Sequence, residues 1–404
     1  MKRLYCLLIV LGSLFTESCT EPYALQTESF ESAIVIEATL TDEVKHQEIK
    51  LSRTYKLEEN VPETETGAVV FVTDSNGNQY NYSENNGKYI SQDEFKALPD
   101  VAYQLHVVTS DGKTYASTPE KITSSASIQA VTPHVTTNRD GDEGIQMTVT
   151  TNKASNNIEY YRYTYAETNK IIAPKWIPEK AVVTFYPQPS PDPIGDFEMV
   201  PWPYEAKTCF TTEDSNEIFL QNTAIQTGNT FLYPIRFISK KDYKIANRYS
   251  INVTLYDLSL AAYNYYDALK KNSTPGSAFS QNQTGFYSGN IKNMNNPKEK
   301  VIGFFDVSHV SHKRIFFNFE DIFPSGPKPE YPYECIDDID LPYCFCFSHG
   351  CPVCEGNYIL YALRDKNKLV LKVIGDKQFV TLTSIRCGDC TTFSSNIRPS
   401  FWVD

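Results

Sequence analysis

The sequence contains few features of proteins that cross a membrane or bind nucleic acid. Beyond residues 4–15, no apolar run approaches the roughly 20 residues that a transmembrane helix needs. Lysine and arginine number 37 against 49 acidic residues, so the formal net charge is -12. Phosphate binding depends on clustered basic residues, and a chain this acidic is therefore not predicted to bind nucleic acid.

Catalytic signatures are absent as well. The chain contains no G-x-S-x-G, no H-E-x-x-H, no P-loop and no G-x-G-x-x-G. With 49 acidic residues, no two can be nominated as a general acid and base. The sequence therefore predicts a protein that is not an enzyme and that carries no cofactor.

The amino terminus has the pattern of an export signal. Two basic residues precede the apolar residues 4–15, and the small residue Ser18 comes before Cys19. This predicts a lipoprotein signal at residues 1–18 and lipidation of Cys19, although Glu17 departs from the common pattern. Cleavage as an ordinary secreted protein is the alternative. Acyl chains on Cys19 would anchor the mature protein to a membrane.

The rest of the chain favours β-structure. It holds 27 Tyr and 23 Phe, and turn residues separate short alternating segments. The predicted fold class is mostly β, with an N-terminal β-sandwich of the immunoglobulin or transthyretin type, a second β-rich domain with one helix, and a disulfide-rich C-terminal region. The predicted division is a tether at 19–32, the sandwich at 33–122, the second domain at 123–272 and the cysteine-rich domain at 273–404.

One segment, DLSLAAYNYYDALKKN, has helical periodicity. Asp257 or Ser259 is available as its N-cap, and lysines occupy its last turn. An apolar and aromatic face at helical spacing is formed by Leu258, Ala262, Tyr265, Tyr266 and Leu269. The pattern predicts a packed helix that connects the second and third regions.

Residues 174–203 show no sustained helical or strand periodicity of apolar residues. They contain eight prolines and two of the three tryptophans, and long loops of this kind are often functional. The candidate binding residues are Trp176, Phe185, Tyr186, Trp202 and Tyr204, which could form a stacking platform for sugars or a contact face for a barrel partner. In the alternative interpretation, the loop folds back and buries these aromatics against the second domain.

Of the ten cysteines, one leaves with the signal and Cys19 is the lipidation site. The remaining eight are disulfide candidates, namely Cys209, Cys335, Cys344, Cys346, Cys351, Cys354, Cys387 and Cys390. The segment YCFCFSHGCPVCEG is predicted to be linked to the C-x-x-C pair in RCGDC or to Cys335. A zinc site built from two C-x-x-C pairs is the alternative, but an oxidising compartment favours disulfides, so no metal is predicted.

Two other groups of polar residues resemble metal sites only superficially. His309 and His312 are three residues apart in a β-branched run, where they would point to opposite faces, so they are predicted to be surface residues. Asp337, Asp338 and Asp340 lack the glycine and terminal glutamate of an EF-hand loop. They are predicted to form an ordinary acidic loop.

Four pieces of the sequence together resemble a known family. They are CTEPY after the signal, TGAVVFVTDSNG with GKYIS, SGNIKNMNNPKEKVIGFFDVSHVSHKRI, and CGDCTT with RPSFW. This order resembles the domain-of-unknown-function 4249 family, outer-membrane lipoproteins of Bacteroidota. The resemblance implies a binding lipoprotein anchored in the outer membrane at the cell surface, acting as partner of a TonB-dependent receptor in nutrient uptake. The alternatives are a structural or cell-surface interaction lipoprotein without a ligand, and a zinc-binding protein.

Overall fold

A computed structural model gives the structure of the protein and describes residues 32–54, 63–155, 157, 159–185, 195–224, 228–273, 289–343, 358–364, 368–375 and 377–404. The predictions for the signal, the tether and Cys19 lie outside these residues. So do those for Tyr186, Cys344, Cys346, Cys351 and Cys354. Within the described ranges, no helix has the length and apolar character needed to span a membrane.

The predicted class is confirmed, because strands far outnumber helices and two disulfides lie near the carboxyl terminus. The strands are β1 Ile34–Thr41, β2 Glu48–Arg53, β3 Val69–Asp74, β4 Gln79–Asn85, β5 Lys88–Ser91, β6 Tyr103–Val108, β7 Thr114–Ser117, β8 Ser127–Thr137, β9 Glu143–Asn152, β10 Tyr160–Ile172, β11 Glu179–Phe185, β12 Gly195–Pro201, β13 Thr208–Asp214, β14 Phe219–Asn222, β15 Thr230–Ser239, β16 Arg248–Leu258, β17 Ile291–Asn293, β18 Val301–Ser308, β19 Val310–Asn318, β20 Leu341–Pro342, β21 Lys368–Ile374 and β22 Phe379–Ser384. The helices are α1 Leu260–Ser273, α2 Phe319–Ile322, α3 Tyr358–Arg364 and α4 Ile385–Gly388.

The first unit is one nine-stranded sheet in the order β17-β7-β6-β3-β4-β5-β2-β1-β18. Its pairs are antiparallel except β1 with β18, which is parallel. Alternate residues of the strands, among them Ile36, Val72 and Tyr103, form a single core. Asn86 and Gly87 adopt the positive φ that a tight β4–β5 hairpin requires, as the Gly and Asn turns predicted.

The two ends of this sheet are joined by the segment that precedes β17. The Asn290 side chain donates to the Phe305 carbonyl at 2.9 Å and accepts from the Phe305 amide at 2.8 Å. A Cβ on Gly289 would overlap the carbonyl oxygen of Gly303, so the backbones approach too closely for a side chain. Strands β17 and β18 fall inside the predicted 273–404 region, so the first sheet crosses the predicted boundary at residue 272.

The second unit is a sandwich of two sheets, β13-β10-β16-β19 with β14 beside β10, and β15-β9-β8. Tyr161 and Tyr163 point into the core between these sheets. On β10, the carboxylate of Glu167 is buried and accepts from Arg236, Lys244 and Tyr249. Burial alone would raise the pKa of Glu167, and these hydrogen bonds hold it below its ordinary value.

The proline-rich segment contains regular structure, which corrects the prediction of an irregular loop at 174–203. Strands β11 and β12 pair as a hairpin, and Phe197 packs with α3 and the β20-β22-β21 sheet. The hairpin packs on the C-terminal region, whereas Trp176, near the start of the segment, packs against Ile171 and Ala173 of the predicted second domain. Prolines lie at or close to the ends of both strands and break the apolar–polar alternation there. The sequence therefore did not indicate the hairpin.

Helix α1 is confirmed, and the Ser259 hydroxyl accepts from the amide of Ala262 at 3.1 Å as its N-cap. Its inner residues pack on the outer face of β10 and β16 and on Phe304 of β18. The helix therefore lies between the second unit and the first sheet.

The disulfides join Cys209 to Cys390 and Cys335 to Cys387. These pairings correct two earlier interpretations. Cys387 and Cys390 are not thiolate ligands of a shared zinc site, and they do not link to the segment at 343–356, because each sulfur already bonds another partner. The bridges attach the carboxyl-terminal segment to β13 and to the segment before β20.

Candidate functional site

A cleft of about 600 Å³ lies where the first sheet meets the second unit. One wall is the outer face of β1 and β2, and the other is formed by β10, β16 and helix α1. Its size is within the range of small-molecule binding sites, and junctions between units are common positions for such sites. The cleft exists because β18 pairs with β1 while its outward residues pack on α1.

Arg162 forms the polar centre of the cleft. The inward direction of Tyr161 and Tyr163 places Arg162 on the opposite face of β10, directly across from Tyr256 of β16. Its guanidinium carbon lies 4.2 Å from the ring centroid of Tyr256 and 4.8 Å from that of Tyr266 on α1. Two tyrosine faces therefore hold the cation by cation–π attraction.

The hydrogen-bonding capacity of Arg162 is not used fully. Its Nε is buried, and among the described residues it has no hydrogen-bond partner. No carboxylate of the described chain forms a salt bridge with Arg162. Because Arg162 lines the cleft, a ligand that supplies an anionic acceptor there would compensate its charge.

Two buried carboxyl groups lie on β18 and β16, which also carry cleft residues. Asp306 of β18 accepts from the Ser308 hydroxyl, and burial raises its pKa to about 6 although the nearby Arg162 charge opposes the rise. Asp257 of β16 accepts from the Ala126 amide at 2.7 Å. Burial raises the pKa of Asp257 to about 7.

An apolar wall stands beside Arg162. Tyr265 of α1 lies 5.6 Å from Phe304 and 5.5 Å from Tyr266 between ring centroids, and Leu269 continues this wall toward the surface. The cleft thus combines one cation with an aromatic and aliphatic surface.

The mouth of the cleft carries charges of both signs. Glu48 pairs with Lys88 at 2.9 Å and Lys45 pairs with Glu43 at 2.8 Å, so these charges are balanced by neighbours. Lys50 and Glu37 lie opposite each other on β2 and β1.

The predicted aromatic residues of 174–203 are divided between two places. Trp202 and Tyr204 contact each other at 5.6 Å between centroids, with the Lys180 ammonium 5.5 Å from each ring. Trp176 instead packs in the cluster around Cys209 and Cys390. Phe185 ends β11. Among the candidates whose side chains the structure describes, Trp202 and Tyr204 form a pair, and their role in binding stays a prediction.

His309 and His312 each pair with a carboxylate of the β1–β2 connection. His309 hydrogen-bonds Asp42, which raises the pKa of the imidazole, and His312 contacts Glu43 at 2.7 Å. The pairs join β19 to the first sheet. Over the described ranges, no cluster of three metal-ligating side chains occurs.

Sequence reasoning missed Arg162, Tyr256 and Asp306, and it identified Tyr266 only as part of the packed face of the helix. Arg162 could have been found from the sequence. The strand alternation that directs Tyr161 and Tyr163 into the core places Arg162 on the other face of the sheet. The tyrosines around it come from distant segments, and no local pattern connects them.

A family model covers most of the chain. The model of the domain of unknown function DUF4249 matches residues 20–314. The chain belongs to the DUF4249 family. The match includes the whole first sheet, β10, β16 and α1, so every wall of the cleft lies within the DUF4249 region. A search of curated proteins finds no match to this DUF4249 protein.

Proposed function

We propose that this DUF4249 protein is a lipid-anchored binding protein of the outer membrane, which holds a small ligand and acts as partner of a TonB-dependent receptor. The observation that carries the binding role is the cleft around Arg162, a partly unsatisfied cation beside an apolar wall. The role is binding and not catalysis. Any energy for transport would come from the receptor.

The membrane attachment rests on the amino terminus. The apolar residues 4–15 followed by Ser18 and Cys19 support export and lipidation. Metabolic labelling with a palmitate analogue tests this step. Label should enter the wild-type protein and be lost in Cys19→Ala, and equal labelling of both proteins would exclude Cys19 as the anchor.

Affinity purification of the full chain from native membranes in mild detergent tests the partnership. An outer-membrane barrel receptor should be recovered with the wild-type protein and identified by mass spectrometry. A Cys19→Ala chain, which lacks the anchor, serves as the control for unspecific capture. Recovery of the protein without any barrel receptor would refute the partnership.

A further inference from the structure

We propose that Arg162 binds the carboxylate of a small organic monoanion whose apolar body rests on Tyr265, Phe304 and Leu269. This assignment deepens the binding role proposed above and depends on it. It names the chemical class of the ligand, which neither the family nor the fold supplies.

The geometry of Arg162 favours a carboxylate. A guanidinium presents its donors in a planar fork that matches the two oxygens of a carboxylate. Tyr256 and Tyr266 cover the faces of the guanidinium, at 4.2 and 4.8 Å, so its edge is left for hydrogen bonding. Arg162 also lines the cleft, so a ligand bound there lies within reach of the guanidinium.

The surrounding charges favour a single negative charge. Asp306 is buried near Arg162, and Glu37 also lines the cleft. Lys50 lies opposite Glu37 and Lys45 pairs with Glu43, so a dianion such as phosphate would exceed the charge that Arg162 supplies beside Asp306. A monoanion is compensated by Arg162 alone.

The apolar wall defines the rest of the ligand. Tyr265 and Phe304 present rings 5.6 Å apart, and Leu269 extends the surface toward the mouth. An aryl or alkyl group attached to the carboxylate would bury apolar area there.

Isothermal titration of the mature protein with 4-phenylbutyrate tests the proposal, with 4-phenylbutanamide as the neutral isostere and inorganic phosphate as the second anion. The carboxylate should bind at least about tenfold more tightly than the amide, since its hydrogen bonds are charge-assisted.

Arg162→Met should weaken carboxylate binding by at least about tenfold. Arg162→Lys should restore part of the affinity, because lysine keeps the positive charge but lacks the planar fork of donors. Arg139→Met, at an exposed arginine of the β8–β9 turn, is the matched control and should bind as the wild type does.

Leu269→Trp offers a test that does not depend on how Arg162→Met folds. Leu269 is partly exposed on α1, so the larger ring should be tolerated while it obstructs the cleft and abolishes binding. Equal affinity for the acid and the amide, or tighter binding of phosphate, would overturn the proposal. Carboxylate binding without receptor recovery would refute the partnership alone, and receptor recovery without carboxylate binding would refute the ligand class alone.

Discussion

Replacing Asn290 by alanine should loosen the closure of the first sheet. The side chain of Asn290 satisfies both the amide and the carbonyl of Phe305, a residue that is 1% exposed, and it also donates to Glu120 at 2.9 Å. An unsatisfied buried polar group costs about 1–3 kcal/mol, so the loss of two partners should destabilise the closure by about 3 kcal/mol.

Native-state hydrogen exchange read by mass spectrometry measures this effect where it occurs. Amides in peptides from β17 and β18 should exchange about a hundredfold faster in Asn290→Ala than in the wild type, if opening is local. Asn81→Ala is the control, because Asn81 is exposed and its side chain bonds only the exposed Gln79 among described residues. An acceleration below about fivefold in Asn290→Ala would refute the closure as described.

The remaining predictions concern buried charge and the disulfides. Glu167→Gln should lower the free energy of unfolding by about 3 kcal/mol, because it leaves Arg236 and Lys244 without their buried partner, and urea unfolding would show this. Asp257→Asn should become increasingly more stable than the wild type as pH rises from about 4 to about 7, because the raised pKa of Asp257 makes ionisation of the folded state unfavourable in that window. Thermal melts across this pH range measure the difference in Tm between the two proteins. A constant difference would contradict the raised pKa of Asp257. Non-reducing peptide mapping should recover the Cys209–Cys390 and Cys335–Cys387 links, and a Cys387–Cys390 link would contradict the structure.

The sequence predicted the local structure well. Alternation identified many strands, the Asn86-Gly87 turn marked its hairpin, and helical spacing located α1 with Ser259 as its cap. These features depend on neighbours within a few residues, and such contacts leave a periodic pattern. The hairpin of β11 and β12 escaped because prolines border it.

The arrangement of the units could not be read in the same way. The parallel pairing of β1 with β18 joins segments far apart in sequence, and each strand has the same alternation whichever partner it takes. The cleft depends on this pairing, since it brings Phe304 and Asp306 against α1. Arg162 acquires its tyrosine neighbours only through that tertiary arrangement.

The most direct test of the binding site is a crystal structure of the mature protein with 4-phenylbutyrate. The carboxylate should accept a hydrogen bond from the Arg162 guanidinium at about 2.7–3.2 Å, with the phenyl ring against Tyr265 and Phe304. A ligand bound elsewhere, or an empty cleft in which Arg162 forms a salt bridge with Asp306, would contradict the site.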